Sequence, residues 1–219
     1  MSRNLIDVNL YLVLDPELCG GIDGMVQTAV TAASHGATVV QLRAPKWKKR
    51  QWLECAQQLK AALAPLNVPL IINDHVDIAL AVDADGVHVG QADLPVQTVR
   101  ALLGPKKIVG LSTNNLANVQ QLLTPEILQC IDYIGVGPVY PTTTKLDASP
   151  VLSNDEMRAM FAATGDLPAV AIGGIKQGSA ASMIAAGANG VAVVSAICGQ
   201  ADVAIATQAL LAEIHHARA

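Results

Sequence analysis

Aromatic residues are scarce in this sequence, and that scarcity limits the kind of core it can form. Phe, Trp and Tyr make up 3% of the 219 residues, whereas hydrophobic residues as a whole make up 52%. The core must therefore be aliphatic, built from Val, Ile, Leu and Ala, which suits parallel strands that are buried on both faces. A chain with this much apolar surface to bury is not intrinsically disordered.

Charged residues are also few, and they form no long run of one sign. They account for 15% of the chain, and the formal net charge is −4. The densest basic stretch, residues 46–50, is best interpreted as the solvated start of a helix. We therefore do not expect nucleic acid as a partner, because no basic surface tracks a phosphate backbone.

Cysteine occurs at four widely spaced positions, Cys19, Cys55, Cys130 and Cys198, without a CxxC pair or a nearby His cluster. We therefore expect neither a disulfide framework nor a zinc site, and a reducing cytoplasm fits this pattern best. The N-terminal residues contain no apolar run long enough for a signal peptide or a membrane span, so no membrane partner is expected. Assembly into a homo-oligomer is left open by the sequence.

Short runs rich in β-branched residues alternate along the chain with Ala-, Leu- and Gln-rich stretches of helical spacing. This alternation predicts right-handed βαβ crossovers and a parallel sheet. Eight such units are the content of a (β/α)8 barrel, the TIM barrel, and the length fits one catalytic domain over residues 1–219. The predicted strands are Leu10–Asp15, Val39–Arg43, Leu70–Asn73, Gly86–Val89, Ile108–Ser112, Tyr133–Val136, Ala169–Ile172 and Gly190–Ser195.

A doubly wound open sheet is the competing architecture for the same alternation. Such a sheet collects its ligand contacts at one switch point between strands. Here polar or glycine residues follow nearly every predicted strand, which favours a closed barrel. Residues 34–40 and 185–191 also share one layout, a helix end, a glycine and a buried strand, as expected for a repeated unit.

Two carboxylates stand out at the carboxyl ends of neighbouring predicted strands, where barrels carry their chemistry. Asp74 follows the third strand and Asp93 follows the fourth, so both can point into the same mouth. Two oxygen ligands without a Cys or His cluster suit Mg²⁺, which completes its octahedron with waters and substrate phosphates. The alternative is that each Asp caps the helix that follows it.

Phosphate binding is predicted at the last two strands. Gly173 and Gly174 follow the seventh strand, and Val194 and Ser195 follow the eighth, where barrels commonly hold a phosphate on backbone amides. The alternative is that the glycine pair only permits a tight turn.

Arg43 and Lys145 are cations at the predicted rim. Together with the Mg²⁺ site and the phosphate site, they predict a ligand set with more than one phosphate group, such as a diphosphate beside a monophosphate. Such a site can stabilise a departing diphosphate without a side-chain nucleophile, and no nucleophilic constellation is present in the sequence. His88 lies within a predicted strand and is interpreted as a core histidine rather than a base.

Seven segments, in this order, together resemble the thiamine-phosphate synthases. They are VQLR at 40–43, LIIND at 70–74, GVHVGQADLP at 86–95, GLST at 110–113, GVGPVYPTTTK at 135–145, AIGGI at 171–175 and VAVVSAI at 191–197. The resemblance runs over about residues 11–211, and the ordered set is highly specific although each segment alone is weak.

The resemblance implies an enzyme, a transferase, that joins an aminopyrimidinylmethyl diphosphate to a thiazole phosphate, with Mg²⁺ assisting departure of the diphosphate. A pyrimidine carbocation would then be captured by the thiazole nitrogen. The resemblance also implies that Asp74 and Asp93 are the Mg²⁺ ligands. It implies that the pyrimidine diphosphate is contacted by Gln41, Arg43, Asn73, Ser112 and Lys145. It implies that the thiazole phosphate is contacted by Thr142, Thr144, Gly174 and the backbone of Val194 and Ser195. Among these, Arg43, Ser112 and Lys145 are the candidate catalytic residues.

The chain departs from the family pattern in the loop after the second strand. The family usually continues Gln-Leu-Arg with Glu-Lys, whereas Ala44 and Pro45 follow here and the first lysine is Lys46. A diphosphate-binding lysine is therefore missing or displaced by one position. Losing one charged contact would cost about 1.5 to 3 kcal/mol, which weakens the enzyme without changing the reaction class. Ala92 and Asn114 are lesser departures, where an acidic residue and a His are common.

Two other functions remain as hypotheses. One is a thiazole tautomerase of the same fold, although such relatives usually lack the Asn-Asp, Gly-Gln-x-Asp and Pro-Thr-x-Thr-Lys set that is intact here. The other is a non-catalytic protein that binds a thiamine precursor or product, for which the Ala44-Pro45 change is the sole support. Fold alone does not decide among the three.

Overall fold

The backbone closes into a parallel barrel of eight strands. A computed structural model of the chain describes residues 6–142, 144 and 149–219. Within them each strand pairs with the next in sequence, and the eighth returns to pair with the first. The strands are β1 Leu10–Leu14, β2 Val39–Leu42, β3 Leu70–Asn73, β4 Gly86–Val89, β5 Ile108–Thr113, β6 Tyr133–Val136, β7 Ala169–Ile172 and β8 Gly190–Val193. The predicted TIM barrel is confirmed, and the open doubly wound sheet is wrong.

Helices follow the strands and pack around the outside of the barrel. In the described part of the chain they are α1 Pro16–Cys19, α2 Ile22–Ser34, α3 Lys49–Leu63, α4 Val76–Ala81, α5 Val96–Leu103, α6 Leu116–Leu122, α7 Pro125–Leu128, α8 Asn154–Ala163, α9 Ala180–Ala185 and α10 Val203–His216. A short 3₁₀ turn, Ala64–Leu66, extends α3. None of the helices so described has the length and apolarity needed to cross a lipid bilayer.

The predicted strand boundaries are wrong at three carboxyl ends, where the strands stop earlier. Asp15, Arg43 and the pair Val194 and Ser195 lie beyond their strands, and β5 instead extends by one residue to Thr113. Asp15 leaves its strand because its side chain caps α1, where it accepts hydrogen bonds from two backbone amides of the first turn. The displaced residues belong to the loops of the mouth rather than to the sheet.

Side-chain alternation divides the core into two layers. Along β1, Leu10, Leu12 and Leu14 belong to the large aliphatic layer between barrel and helices. Tyr11 and Val13 instead belong to a smaller cluster inside the barrel, together with Tyr133 of β6. Successive residues of a strand point to opposite sides, so one strand serves both layers. Two of the few aromatic side chains therefore lie in the barrel interior.

A buried ion pair fastens the amino-terminal end of the barrel. Arg100 of α5 donates to the Asp132 carboxylate at 2.7 Å, and their side chains are 15% and 3% exposed. The same carboxylate oxygen accepts from the backbone amide of Val109 on β5. Removing the guanidinium would leave a buried carboxylate without its compensating charge.

We predict that Arg100→Met lowers the free energy of unfolding by about 3 to 5 kcal/mol, because one partner of a buried pair is lost. Lys46→Met is the matched control, since it breaks an ion pair with Glu17 whose side chains are 75% and 70% exposed. Urea denaturation should detect the first change and no significant change for the second. Equal unfolding midpoints for Arg100→Met and the unmodified protein would refute this account.

Candidate active site

The barrel mouth collects polar side chains from the carboxyl ends of the strands. Gln41 of β2 is 4% exposed, and Ser112 of β5 is half-buried. Asn73, half-buried, is the last residue of β3. All three occupy positions that alternate with residues of the outer aliphatic layer, so they belong to the interior side of the barrel.

Asp74 has a backbone conformation that few side chains adopt. Its φ of 59° lies in the left-handed region, which Asp and Asn tolerate better than most residues. Its amide donates to the His88 carbonyl at 2.8 Å, so the end of β3 is tied to β4. Its carboxylate accepts from the Asn73 side-chain amide at 2.6 Å. Residues held in sparsely populated conformations concentrate at functional sites.

Asp93 lies in the loop after β4, and its side chain binds back to the start of that loop. One of its carboxylate oxygens accepts from the Gly90 amide at 2.7 Å. Asp93 also acts electrostatically on His75, the residue after Asp74: burial and Lys49 lower the pKa of His75, and Asp77 and, to a smaller extent, Asp93 oppose that shift. The two aspartate loops are therefore neighbours at the mouth.

Neither aspartate is the N-cap of the helix that follows it. The N-cap residues of α4 and α5 are His75 and Pro95, and neither makes a side-chain capping hydrogen bond. Asp74 and Asp93 therefore precede the N-cap positions of these two helices. Among the described residues, no three His, Cys, Asp or Glu side chains come together as metal ligands. A metal at this mouth would need water or substrate oxygens to complete its coordination, as Mg²⁺ commonly does.

Arg43 is the first residue after β2 and is half-buried beside the mouth. Within residues 6–142, 144 and 149–219, no ion pair joins it to a carboxylate. A guanidinium so placed can give its planar fork of donors to an anionic ligand. Lys145, the other predicted cation, lies outside the described residues.

The loop after Arg43 takes a tight turn. The Trp47 amide donates to the Ala44 carbonyl at 3.0 Å, and Pro45 occupies the second position of this turn, where its fixed φ is favourable. Ala44 is fully buried against the outer aliphatic layer. Lys46 is directed to α1, where its ammonium donates to Glu17 at 2.6 Å, and this hydrogen bond raises the lysine pKa.

The glycine pair after β7 is required by close packing. Gly173 and Gly174 have φ values of 103° and 67°. A Cβ at Gly173 would lie 2.6 Å from the Pro138 Cβ, and one at Gly174 would lie 2.5 Å from the Pro141 carbonyl oxygen. Residues 137–141 therefore sit directly on this turn, which only glycine permits.

A cavity of about 430 Å³ opens beside Gly174. It is lined by Tyr140, Pro141, Gly174, Lys176, Gln177, Gly178 and Ser179. Nearby, the Thr142 hydroxyl accepts from the Thr144 amide at 3.2 Å, which brings these two predicted residues together. The tight-turn and phosphate interpretations of the glycine pair are thus compatible.

Val194 and Ser195 begin a helical turn directly after β8. The Val194 carbonyl accepts from the Ile197 and Cys198 amides at 3.0 and 2.8 Å. The first amides of such a turn have no partner within it and point along its axis, out of its amino-terminal end. A backbone of this form is compatible with a phosphate ligand, and phosphate binding here stays a prediction.

A larger hollow, of about 750 Å³, lies at the opposite end of the barrel. Its lining includes Thr38, Pro69 and Ile108, which stand at or before the beginnings of their strands. The amino-terminal face of such barrels serves stability rather than chemistry. We therefore place the site at the mouth despite the size of this hollow.

The interior contains three polar side chains that the sequence did not single out as functional. Tyr11 and Tyr133 are buried, and His88 lies half-buried between Tyr133 and Ser112. A signal was present in the sequence, because Gly110 and Gly135 alternate with outward-facing residues and leave room for the side chains of Tyr133 and His88. The interpretation of His88 as only a core residue omits its contact with Ser112.

Comparison with known proteins places this chain in one family. A family model described as thiamine monophosphate synthase matches residues 10–197. The thiamine-phosphate synthase of Laribacter hongkongensis is 51% identical over 96% of this chain and 97% of its own length. The enzyme of the same name from Xanthobacter autotrophicus is 48% identical, with 97% and 98% covered.

Solved structures give the same result. A thiamine phosphate pyrophosphorylase from Pyrococcus furiosus superposes with a TM-score of 0.84 at 30% identity, covering 97% of this chain and 98% of that one. A 3-hexulose-6-phosphate synthase superposes with a TM-score of 0.68 at 20% identity, which shows a shared fold alone.

We predict that Lys46 does not replace the missing lysine of the loop. Its ammonium is paired with Glu17 of α1, so Lys46→Ala should change the KM for the pyrimidine diphosphate by no more than about twofold. Arg43→Ala is the comparison, and it should raise the same KM by roughly ten- to a hundredfold, the worth of a charged hydrogen bond. Steady-state kinetics with the second substrate saturating measures both values. A tenfold rise for Lys46→Ala would instead assign the diphosphate to Lys46.

Proposed function

The chain belongs to the thiamine monophosphate synthase family, and from this we propose that its barrel mouth joins an aminopyrimidinylmethyl diphosphate to a thiazole phosphate. The enzyme is a transferase that forms thiamine phosphate and releases diphosphate. The observation that carries the assignment to this mouth is the set of polar residues at its rim, contributed by strand after strand in the order of the seven family segments.

Departure of the diphosphate is the step that the rim supports. We assign Arg43 and Ser112 to the diphosphate end of the substrate, with Lys145 as a third candidate catalytic group. A guanidinium and a hydroxyl donate hydrogen bonds to the oxygens on which negative charge grows as the bond to the pyrimidine methylene breaks. Gln41 and Asn73 are assigned to the pyrimidine. No nucleophile of the protein is needed, since the thiazole nitrogen takes that role.

The aspartates fit Mg²⁺ by the chemistry of their donors. Asp74 and Asp93 offer oxygen ligands from neighbouring loops, and one carboxylate oxygen of each already accepts a hydrogen bond that orients it. A carboxylate has about four lone-pair sites, so one such bond leaves capacity for a cation. When bound, Mg²⁺ supplies positive charge that stabilises the leaving diphosphate. The protein holds the two carboxylates in place through Asn73 and Gly90.

The thiazole phosphate is assigned to the opposite part of the rim. We assign it to Thr142, Thr144, Gly174 and the backbone of Val194 and Ser195; of these, Gly174 lines the cavity of about 430 Å³, and Thr142 follows Pro141 of the same lining. A bound phosphate here would direct the thiazole ring toward the pyrimidine methylene. This placement uses backbone amides and hydroxyls, which recognise phosphate without a further cation.

The two alternative functions are weaker than the synthase. A tautomerase would have no use for paired aspartates and a diphosphate-binding arginine, which are the roles that we propose for Asp74, Asp93 and Arg43. A binding protein without turnover rests on Ala44 and Pro45, and the turn that they form leaves Arg43 beside the mouth. We further propose that the enzyme works in a reducing cytoplasm, because its four cysteines are free thiols.

We predict that the purified protein releases diphosphate only when both substrates and Mg²⁺ are supplied, with thiamine phosphate formed in equal amount. Coupled phosphate detection after pyrophosphatase treatment gives the first quantity, and chromatography gives the second. Reactions run in EDTA should lack both products, provided that the protein is removed and excess Mg²⁺ is restored before the pyrophosphatase, which needs the metal itself, is added. Reactions run with Mg²⁺ from the start should give both products. A protein that binds thiamine phosphate yet releases no diphosphate would be the non-catalytic binder instead.

We also predict that Asp74→Asn and Asp93→Asn each lower kcat/KM at least a hundredfold at a fixed Mg²⁺ concentration, in the range for loss of an essential electrostatic group. Asn is chosen because it tolerates the positive φ of Asp74, which Ala would not. Asp77→Asn is the matched control, an exposed carboxylate of the same region that pairs with Lys49. Near-unmodified rates in both test variants would contradict the metal assignment.

A further inference from the structure

A continuous chain of hydrogen bonds crosses the inside of the barrel beneath the mouth. The Gln41 side-chain amide donates to the Tyr11 hydroxyl at 2.8 Å, which lies 2.8 Å from the Tyr133 hydroxyl. The Tyr133 hydroxyl lies 2.9 Å from His88 Nδ1, and His88 Nε2 lies 2.9 Å from the Ser112 hydroxyl. Five strands thus contribute one residue each. Both ends of the chain, Gln41 and Ser112, are residues that we assign to the pyrimidine diphosphate.

The neighbouring strands leave space for this chain. A Cβ at Gly110 would lie 2.5 Å from His88 Nδ1 and would overlap the ring of Tyr133. A Cβ at Gly135 would press against the His88 ring, at 3.4 Å from its Cε1. Glycine in the middle of a strand weakens it, so these positions favour the polar chain over strand stability.

The phenols of the chain stay protonated. Tyr11 and Tyr133 are completely buried, and burial is the main cause that raises the pKa of each above its usual value. Each phenol therefore provides one donor and can accept in return. A chain of such groups can be ordered in only two directions, because each hydroxyl proton points to one neighbour at a time.

The direction follows from the atom of Gln41 that meets Tyr11. The amide NH₂ donates to Tyr11, so the Tyr11 proton is directed to Tyr133 and the Tyr133 proton to His88 Nδ1. His88 is then neutral with its proton on Nε2, which donates to the Ser112 oxygen. At the two ends of the chain, the Gln41 carbonyl remains as an acceptor and the Ser112 proton as a donor for a ligand.

This pattern is complementary to the pyrimidine diphosphate. The 4-amino group of the ring is a donor, which suits the acceptor at Gln41, and the diphosphate oxygens are acceptors, which suits the donor at Ser112. An acceptor at Gln41 and a donor at Ser112 satisfy these groups. Reversal of the chain would present a donor to the amino group and leave both unpaired, which is the costly outcome for buried polar groups.

We propose that Tyr11, Tyr133 and His88 are positioning residues that fix the direction of this hydrogen-bond chain, so that Gln41 accepts from the substrate and Ser112 donates to it. The proposal rests on the function proposed above, and it names three residues that make no assigned contact with substrate. Their role is to select the 4-aminopyrimidine against rings with the opposite hydrogen-bond pattern.

The test compares the binding of thiamine phosphate with that of its 4-oxo analogue, by calorimetry. In the analogue the amino donor becomes an oxo acceptor and the adjacent ring nitrogen becomes a donor. The unmodified enzyme should bind thiamine phosphate roughly ten- to a hundredfold more tightly, the worth of one or two buried hydrogen bonds. Tyr11→Phe removes the hydroxyl that holds the Gln41 amide, so the amide can rotate. The affinity for thiamine phosphate should then exceed that for the analogue by no more than about threefold.

Tyr133→Phe breaks the chain at its centre and should reduce the preference in the same way. Thr207→Val is the matched control, because it removes a fully buried hydroxyl that donates within α10 at 2.6 Å, away from the barrel interior. Thr207→Val should bind thiamine phosphate more tightly than the 4-oxo analogue by the same factor as the unmodified enzyme does. Thermal unfolding of all the variants identifies any that do not fold. Folded Tyr11→Phe and Tyr133→Phe enzymes with the full preference would overturn the proposal.

The ring nitrogen of His88 that carries the proton can be identified without any variant. In ¹⁵N-labelled unmodified protein, NMR should find a neutral His88 with the proton on Nε2 and an unprotonated Nδ1. A proton on Nδ1 would mean the opposite direction and would refute the proposal. Because this experiment uses the unliganded protein, it decides the direction even if the protein binds neither compound, a result that would count against the proposed function instead.

Discussion

The interior of the barrel is the constraint on which the other features depend. Closing eight strands leaves one face of every strand pointing inward, so those side chains must fill a space of fixed size. Below the mouth this space holds Tyr11 and Tyr133, two large side chains from β1 and β6. Glycine makes room beside the large side chains: a Cβ at Gly110 would overlap Tyr133, and one at Gly135 would press against His88. Small residues are thus placed next to large ones inside the barrel, and the polar atoms of the large residues are paired with one another rather than buried alone.

The interior side chains also connect the core to the mouth. His88 contacts Ser112, which lies closer to the mouth, and at its other end the hydrogen-bond chain finishes at Gln41. The geometry of the rim is therefore set by residues one layer below it. A change in that layer alters the orientation of the rim without touching a ligand, and active sites are sensitive to displacements of this kind.

The fold could be predicted from the sequence because its signals are local and repeated. Strands such as Leu70–Asn73 and Tyr133–Val136 have the predicted boundaries, since an apolar run bounded by turn residues defines both ends. The ends of β1, β2 and β8 could not be placed, because Asp15, Arg43 and Ser195 are compatible with either a strand or a cap. The rim residues were predictable in kind, since barrels place polar groups there.

The contacts among those residues were not predictable, because they depend on strand register and on side chains far apart in sequence. Tyr11 and Tyr133 are 122 positions apart, yet their hydroxyls lie 2.8 Å from each other. The turn at Pro45 is similar, because the sequence reveals a missing lysine, but only the packed loop shows that Lys46 turns to Glu17.

An interior selected for stability alone would not have this composition. Aliphatic side chains would fill the same volume without a hydrogen-bond requirement, and a partly satisfied polar network is worse than an apolar core. Here the network is complete from Gln41 to Ser112 in the part of the chain that the structure describes. Gly110 also gives up strand stability to make room for it. A polar chain that adds such requirements and ends at two ligand-facing groups is better explained by what it does for the ligand than by what it does for the fold.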